Sequence, residues 1–229
     1  MKFISDILNL FYPNICAGCN TPLVDGEKHI CTQCLVSLPK TYYWNDKNNP
    51  SAQIFWGRLY TENVASFLFF RKKSRLQNII HAVKYHNNKE LGIYLGFLFG
   101  NELRCTEFNT AEVIIPVPLH KSKLIKRGYN QSELIAQGLS KSLNIPIADN
   151  VLVRTHITDT QTHKGRYDRW LNIKDKFIVQ DSSKIEGKHV LLVDDVLTTG
   201  ATLEACGIEL LKVNGVTLSI ATLAKTVHD

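Results

Sequence analysis

The run Val190-Leu191-Leu192-Val193-Asp194-Asp195-Val196-Leu197-Thr198-Thr199-Gly200-Ala201-Thr202 decides the fold. Four apolar residues followed by two acids read as a buried strand, over Lys188 to Val193, that delivers adjacent carboxylates at its C-terminal tip. A turn of small residues then leads into a helix, Thr202 to Lys212. Ligands of open α/β sheets bind beyond the carboxyl ends of the strands. Amide groups of residues 198–202 would face a concavity at the helix start, where donors and dipole together favour a phosphate. Gly200 lets the backbone approach closely, and the threonine hydroxyls add donors. Asp194 and Asp195 offer acceptor oxygens suited to sugar hydroxyls, not to the phosphate itself.

Rival readings fit less well. An apolar strand ending in acids also resembles a Walker B strand, but the chain contains no G-x-x-x-x-G-K-[ST]. Too little sequence follows Asp195 for the rest of a phospho-acceptor receiver domain. A bare acid pair capping a strand end leaves Thr-Thr-Gly-Ala-Thr without a purpose.

Outward from this stretch, apolar runs alternate with helical periodicity. Val64 to Phe70, Val113 to Pro118, Val151 to Val153 and Val216 to Ala224 read as strands. Leu76, Ile79, Ile80 and Val83 have helical spacing. Lys89 to Leu103 is a second helix, weakened by Gly92, Gly96 and Gly100 unless they allow close helix packing. Asn130 with Glu133 forms an N-x-x-E capping arrangement ahead of Leu134, Ile135, Leu139 and Leu143. Near-continuous apolar strands between helices predict a parallel sheet covered on both faces. The polar residues 155–172 read as a mobile loop, a plausible lid.

The N-terminal part differs. Cys16-x-x-Cys19 and Cys31-x-x-Cys34 lie eleven residues apart among turn formers, with little apolar material for a local core. Each pair puts two thiolates on one tight turn, and two turns complete a tetrahedron around Zn²⁺. Four thiolates leave no open coordination position, so the expected ion is structural. Unrelated core cysteines or a redox pair explain the double spacing less well. Cys105 and Cys206 are expected to be small core hydrophobes. Ile4, Ile7, Leu8 and Phe11 suggest a short amphipathic helix ended by Pro13, and Asp6 and Asn9 argue against a signal peptide. With no run of 18 apolar residues to cross a membrane and cysteines patterned for metal, a cytoplasmic setting is expected. The chain divides into residues 1–45, the helix and four-cysteine segment, and 54–229, with 46–53 as a polar linker.

Charge adds a direction. Of 229 residues, 27 are Lys or Arg and 21 Asp or Glu, a formal net charge of +6. This suits a phosphate-bearing ligand or a weak nucleic-acid contact and falls short of a DNA-coating protein. The density is greatest in Pro116-Val117-Pro118-Leu119-His120-Lys121-Ser122-Lys123-Leu124-Ile125-Lys126-Arg127-Gly128-Tyr129-Asn130-Gln131, again between a strand end and a helix. A charge run is usually just a solvated loop; its place at a strand end favours a role in binding.

The segment Val190 to Thr202 resembles the phosphoribosyl-pyrophosphate (PRPP) signature of type I phosphoribosyltransferases. That resemblance implies ribose binding by Asp194 and Asp195, and 5-phosphate binding by Thr198, Thr199, Gly200, Ala201 and Thr202. Pro-x-Pro-Leu-His followed by Arg-Gly-Tyr-Asn-Gln, the double C-x-x-C, Lys84-Tyr85, Arg154-Thr155 and Thr160-Gln161 together resemble the ComF family of competence-associated, phosphoribosyltransferase-like proteins. The implied fold is a type I phosphoribosyltransferase-like parallel sheet flanked by helices, with a small N-terminal zinc-binding knuckle. His120, Lys121, Lys123, Arg127, Gly128, Asn130 and Gln131 become candidate contacts to pyrophosphate or nucleic-acid phosphate, and Cys16, Cys19, Cys31 and Cys34 the ligands of structural Zn²⁺. Mg²⁺ is expected with PRPP. Lys123 stands where the family often has Arg, which weakens a bidentate grip there. The resemblance also implies work on single-stranded DNA beside a competence helicase. Arg71, Lys72, Lys73 and Arg75, with Tyr42, Tyr43, Trp44 and Trp56, would form a basic track with stacking platforms, unless those aromatics pack the knuckle onto the core. No catalytic residue can be assigned, so an active Mg²⁺-dependent phosphoribosyltransferase is the alternative.

Overall fold

A computed structural model describes residues 14–85, 88–155 and 176–227. The strands in chain order are β1 (Val64–Phe70), β2 (Val113–Pro116), β3 (Leu152–Thr155), β4 (Lys176–Val179), β5 (His189–Leu197) and β6 (Thr217–Thr226). The helices are α1 (Thr32–Val36), α2 (Arg75–Tyr85), α3 (Lys89–Leu103), α4 (Lys121–Arg127), α5 (Gln131–Leu143) and α6 (Ala201–Leu210).

Four strands form the main sheet in the order β1-β6-β5-β2, every pair parallel. The apolar run of β5 explains its central place. Leu191 and Val193 point into a cluster with α2, α3 and α5, whereas Val190 and Leu192 point into a second cluster with α6 and Phe55. A strand buried on both faces must be apolar at successive positions. The sheet is thus the expected parallel one with helices on both faces.

On the first face α3 crosses α5 with backbones in contact. A Cβ on Gly96 would lie 2.3 Å from the Ile135 carbonyl oxygen, and one on Gly138 would lie 2.1 Å from that of Ile93. The glycines that weaken α3 as an isolated helix are therefore what lets it pack.

Several expectations need correction. β5 does not stop at Val193; it runs through both aspartates to Leu197, held by β6 through the Asp194–Thr222 and Leu197–Lys225 registers. The strand near Val151 is outside the parallel sheet. β3 pairs antiparallel with β4 in a separate ribbon, and the position beside β2 is taken by a single bridge, Ile114 to Ile147. Residues 46–53 are not a linker. Asn49 and Ser51 are buried, and the Asn49 amide donates to the Val64 carbonyl at 2.7 Å. Ser51, Ser66 and Thr222 join their hydroxyls beneath it. Polar composition misled here because these side chains satisfy one another inside the fold. Cys206 is buried as expected, but Cys105 is exposed. The expected N-terminal helix, residues 4–11, lies outside the described residues, as does the expected lid at 155–172 apart from Thr155.

Candidate functional site

The acid pair lies within the last four residues of β5. Gly200, buried and with φ at +78°, occupies the N-cap of α6 in the left-handed region, which an L side chain adopts only at a cost. It also touches Ile54 and Phe55, where a Cβ would come within 2.8 and 3.0 Å. The turn encloses a hollow of about 40 Å³ lined by Asp194, Val196 to Leu203 and the start of α6. That space takes one small group, not a whole nucleotide. The first amides of a helix have no partner within it and face such a hollow with their partial positive charge. Thr198, Thr199, Ala201 and Thr202 are exposed at its rim.

The two aspartates have different surroundings. Asp194 Oδ1 accepts from the Ser132 hydroxyl at 2.9 Å and from the Asp195 amide at 2.8 Å. Burial and then the neighbouring Asp195 charge push the Asp194 carboxyl up to about 7, and those two hydrogen bonds oppose the rise. Asp195 Oδ2 lies 2.7 Å from the Lys84 ammonium at the end of α2.

The basic segment is a short helix, α4, started by the His120 imidazole accepting from the Ser122 amide and ended by Gly128 at φ +77°. Lys121 and Lys123 are exposed. Arg127 donates to Gln131 Oε1 at 2.7 Å and lies over the Tyr85 ring. Asn130 and Gln131 are buried, and the Asn130 amide donates to the Val117 carbonyl. These two side chains hold the turn in shape from within. Tyr129 donates to the Val83 carbonyl, which ties the turn to the end of α2. The structure therefore joins both halves of the expected site through Ser132–Asp194 and through the last turn of α2.

Sequence reasoning missed Ser132 and Arg58. Arg58 donates to the Ile54 and Thr199 carbonyls and pairs with Glu204, clamping the threonine loop from a segment far away in the chain. No local pattern announces such a residue. Lys84 was visible only as part of a family element, without a role.

The cysteines meet as expected. The Sγ atoms of Cys16, Cys19, Cys31 and Cys34 all lie within 4.8 Å of one another, with Cys19 to Cys31 at 3.7 Å. Zn–S bonds of about 2.3 Å in a tetrahedron require an S–S edge of about 3.8 Å, so the donor set fits. Amides of Gly18 and Cys31 point at Cys16 Sγ, as they would at a thiolate. The cluster fits a metal ion such as zinc, and three of its cysteines belong to the core shared with β1, α2 and α3.

Known proteins can now be set beside this geometry. The phosphoribosyl transferase domain family matches residues 130–229. The DNA utilization protein YhgH of Shigella flexneri is 29% identical over 95% of this chain and 99% of that protein. Competence protein ComFC of Bacillus subtilis is 31% identical over 82% of this chain and 74% of that protein. The chain belongs to the ComF family of phosphoribosyltransferase-like proteins. Another relative, competence protein F of Haemophilus influenzae, is 35% identical over 56% of this chain and 58% of its own length. The ComF-family match runs through both cysteine pairs in the longer alignments, whereas the domain family begins only at Asn130. Among the described residues no helix is long and apolar enough to cross a membrane.

Proposed function

We propose that this ComF-family protein binds PRPP or a related ribose 5-phosphate at the end of β5 and acts in DNA uptake or utilization. The observation that carries the reading is the hollow of about 40 Å³ between Asp194 and the start of α6. Its size suits one phosphoryl group, its amides suit the charge, and Asp194 and Asp195 stand beside it as acceptors for ribose hydroxyls. Thr198, Thr199, Gly200, Ala201 and Thr202 would hold the 5-phosphate. Lys121, Lys123 and Arg127, on the turn tied to α2, would meet the pyrophosphate with its Mg²⁺, which prefers phosphate oxygens and water. Zinc in the four-cysteine knuckle would be structural. The relatives' names, competence and DNA utilization proteins, support the cellular setting.

Calorimetry tests this directly. Wild-type protein is expected to bind PRPP with Mg²⁺, and the Asp194→Asn/Asp195→Asn double variant to remain folded and lose binding. Unaltered affinity in the double variant would sink the assignment. Release of pyrophosphate with a base or amine would separate a transferase from a binding protein, since transfer needs positioning and charge stabilisation of the leaving group as well as binding.

A second reading concerns single-stranded DNA, and one cleft favours it. Trp56 and Tyr60, 59% and 71% exposed, line a space of about 630 Å³ together with Lys47, which pairs with Glu107, and Arg58, which pairs with Glu204. Stacking faces beside cations are what single strands use. Trp44 by contrast is buried against Phe67 and Phe99 and serves the core. Binding at this cleft must weaken steeply as salt rises and must drop in Trp56→Ala/Tyr60→Ala. Salt-independent binding would remove this reading.

A further inference from the structure

Two neighbouring carboxylates at the mouth of a cleft should attract a hard divalent cation and repel a phosphate. The chain meets this difficulty with a residue from another element. Lys84, in the last turn of α2, places its ammonium 2.7 Å from Asp195 Oδ2, and both side chains are only about one-fifth exposed. Both of its chain neighbours are held by the basic turn. Tyr129 donates to the carbonyl of Val83, and Arg127 covers the ring of Tyr85. Two other described groups face the acid pair. Ser132 from α5 is a neutral donor to Asp194, and Cys206 from α6 is within electrostatic reach of both Asp194 and Arg154 of β3.

We propose that Lys84 is the resident counter-cation of the acid pair, which reserves Asp194 and Asp195 for the hydroxyls of an anionic sugar and denies them to a free divalent ion. The sugar half of the inference rests on the function proposed above; the exclusion of the cation does not. With Oδ2 of Asp195 neutralised, its other oxygen remains an acceptor, and the incoming phosphate meets one uncompensated carboxylate fewer. Lys84 is here a positioning residue, acting through Asp195.

The test uses full-length, zinc-loaded protein with Lys84→Met, which keeps the length of the stem, and Lys84→Arg, which keeps the charge. Mn²⁺ uptake by the free protein is read by electron paramagnetic resonance. Lys84→Met is expected to bind Mn²⁺ about tenfold more tightly than wild type, because the uncompensated carboxylates become oxygen ligands. That gain should vanish in Lys84→Met/Asp195→Asn and be absent from Lys84→Arg. If Lys84→Met takes up no more Mn²⁺ than wild type, the proposal is overturned. Ribose 5-phosphate, titrated without divalent ions, forms the second arm. It is expected to bind wild type and Lys84→Arg and to weaken about tenfold in Lys84→Met, where a buried charge has lost its partner. Failure of wild type to bind either ribose 5-phosphate or PRPP would instead defeat the functional reading, and the Mn²⁺ result would still decide the role of Lys84.

Discussion

Asp194 and Asp195 are adjacent in sequence and alike in chemistry, and the fold makes them unequal. Asp195 has an ammonium beside it, whereas Asp194 is half-buried against a like charge and holds its proton up to about 7. A carboxyl raised in this way stabilises the folded state in its protonated form. In the unfolded chain an Asp loses its proton near pH ~4. Between there and about 7 the folded state binds more protons, so stability falls as pH rises across that window and levels off above it. Asp194→Asn keeps the acceptor oxygen for Ser132 and the Asp195 amide while removing the ionisation. This variant is expected to lose that slope and to melt at or above the wild-type temperature at pH 8. Parallel melting profiles for the two proteins from pH 5 to 8 would contradict the burial of this carboxyl.

At the scale of elements, the crossing of α3 and α5 is the most demanding contact. Alanine normally favours a helix over glycine by about 1 kcal/mol. At Gly138 the sign should reverse, because the new methyl would lie 2.1 Å from a carbonyl oxygen of α3. Urea unfolding of Gly138→Ala is expected to show a loss of about 1–3 kcal/mol or more; an unchanged midpoint would mean that the helices part freely. Gly200→Ala combines a positive φ with contacts to Ile54 and Phe55. It should cost about 1–2 kcal/mol in urea unfolding and deform the threonine turn; a wild-type midpoint would mean that the turn tolerates a side chain there. Strands and helices were legible where burial imposes a period. α2 and α5 carry one, and β1 and the acid-bearing strand show instead the unbroken apolar run of strands buried on both faces. What sequence could not show was pairing. β3 leaves the sheet for β4, and the buried Asn49–Ser51 segment looks like a linker because its hydrogen bonds are made far along the chain. The same holds at the site: the acid pair and the threonine turn are contiguous and readable, whereas Lys84, Ser132 and Arg58 arrive from distant elements.

For the whole molecule, the knuckle and the sheet share one interior. Cys16, Cys31 and Cys34 pack with Phe67, Leu76 and Ile79, and the Asn78 amide on α2 donates to the Gly18 carbonyl. Stripping the metal with a chelator, or replacing Cys16 by Ser, is therefore expected to lower the main melting transition by several degrees, consistent with a loss of about 1–2 kcal/mol. An unchanged transition after complete zinc release would show the knuckle to be mechanically independent.

The strand order carries a practical consequence for anyone dissecting this chain. β5 and β6 fall inside the span matched by the domain family, but their outer partners, β2 and β1, are both encoded before residue 130. An excised 130–229 polypeptide would keep the acid pair and the threonine turn on a two-stranded ribbon with both rims bare. Unpaired rims invite pairing with other copies. Such a fragment should collect as insoluble aggregate, and its silence in a binding assay would report on a broken scaffold rather than on the chemistry of the signature.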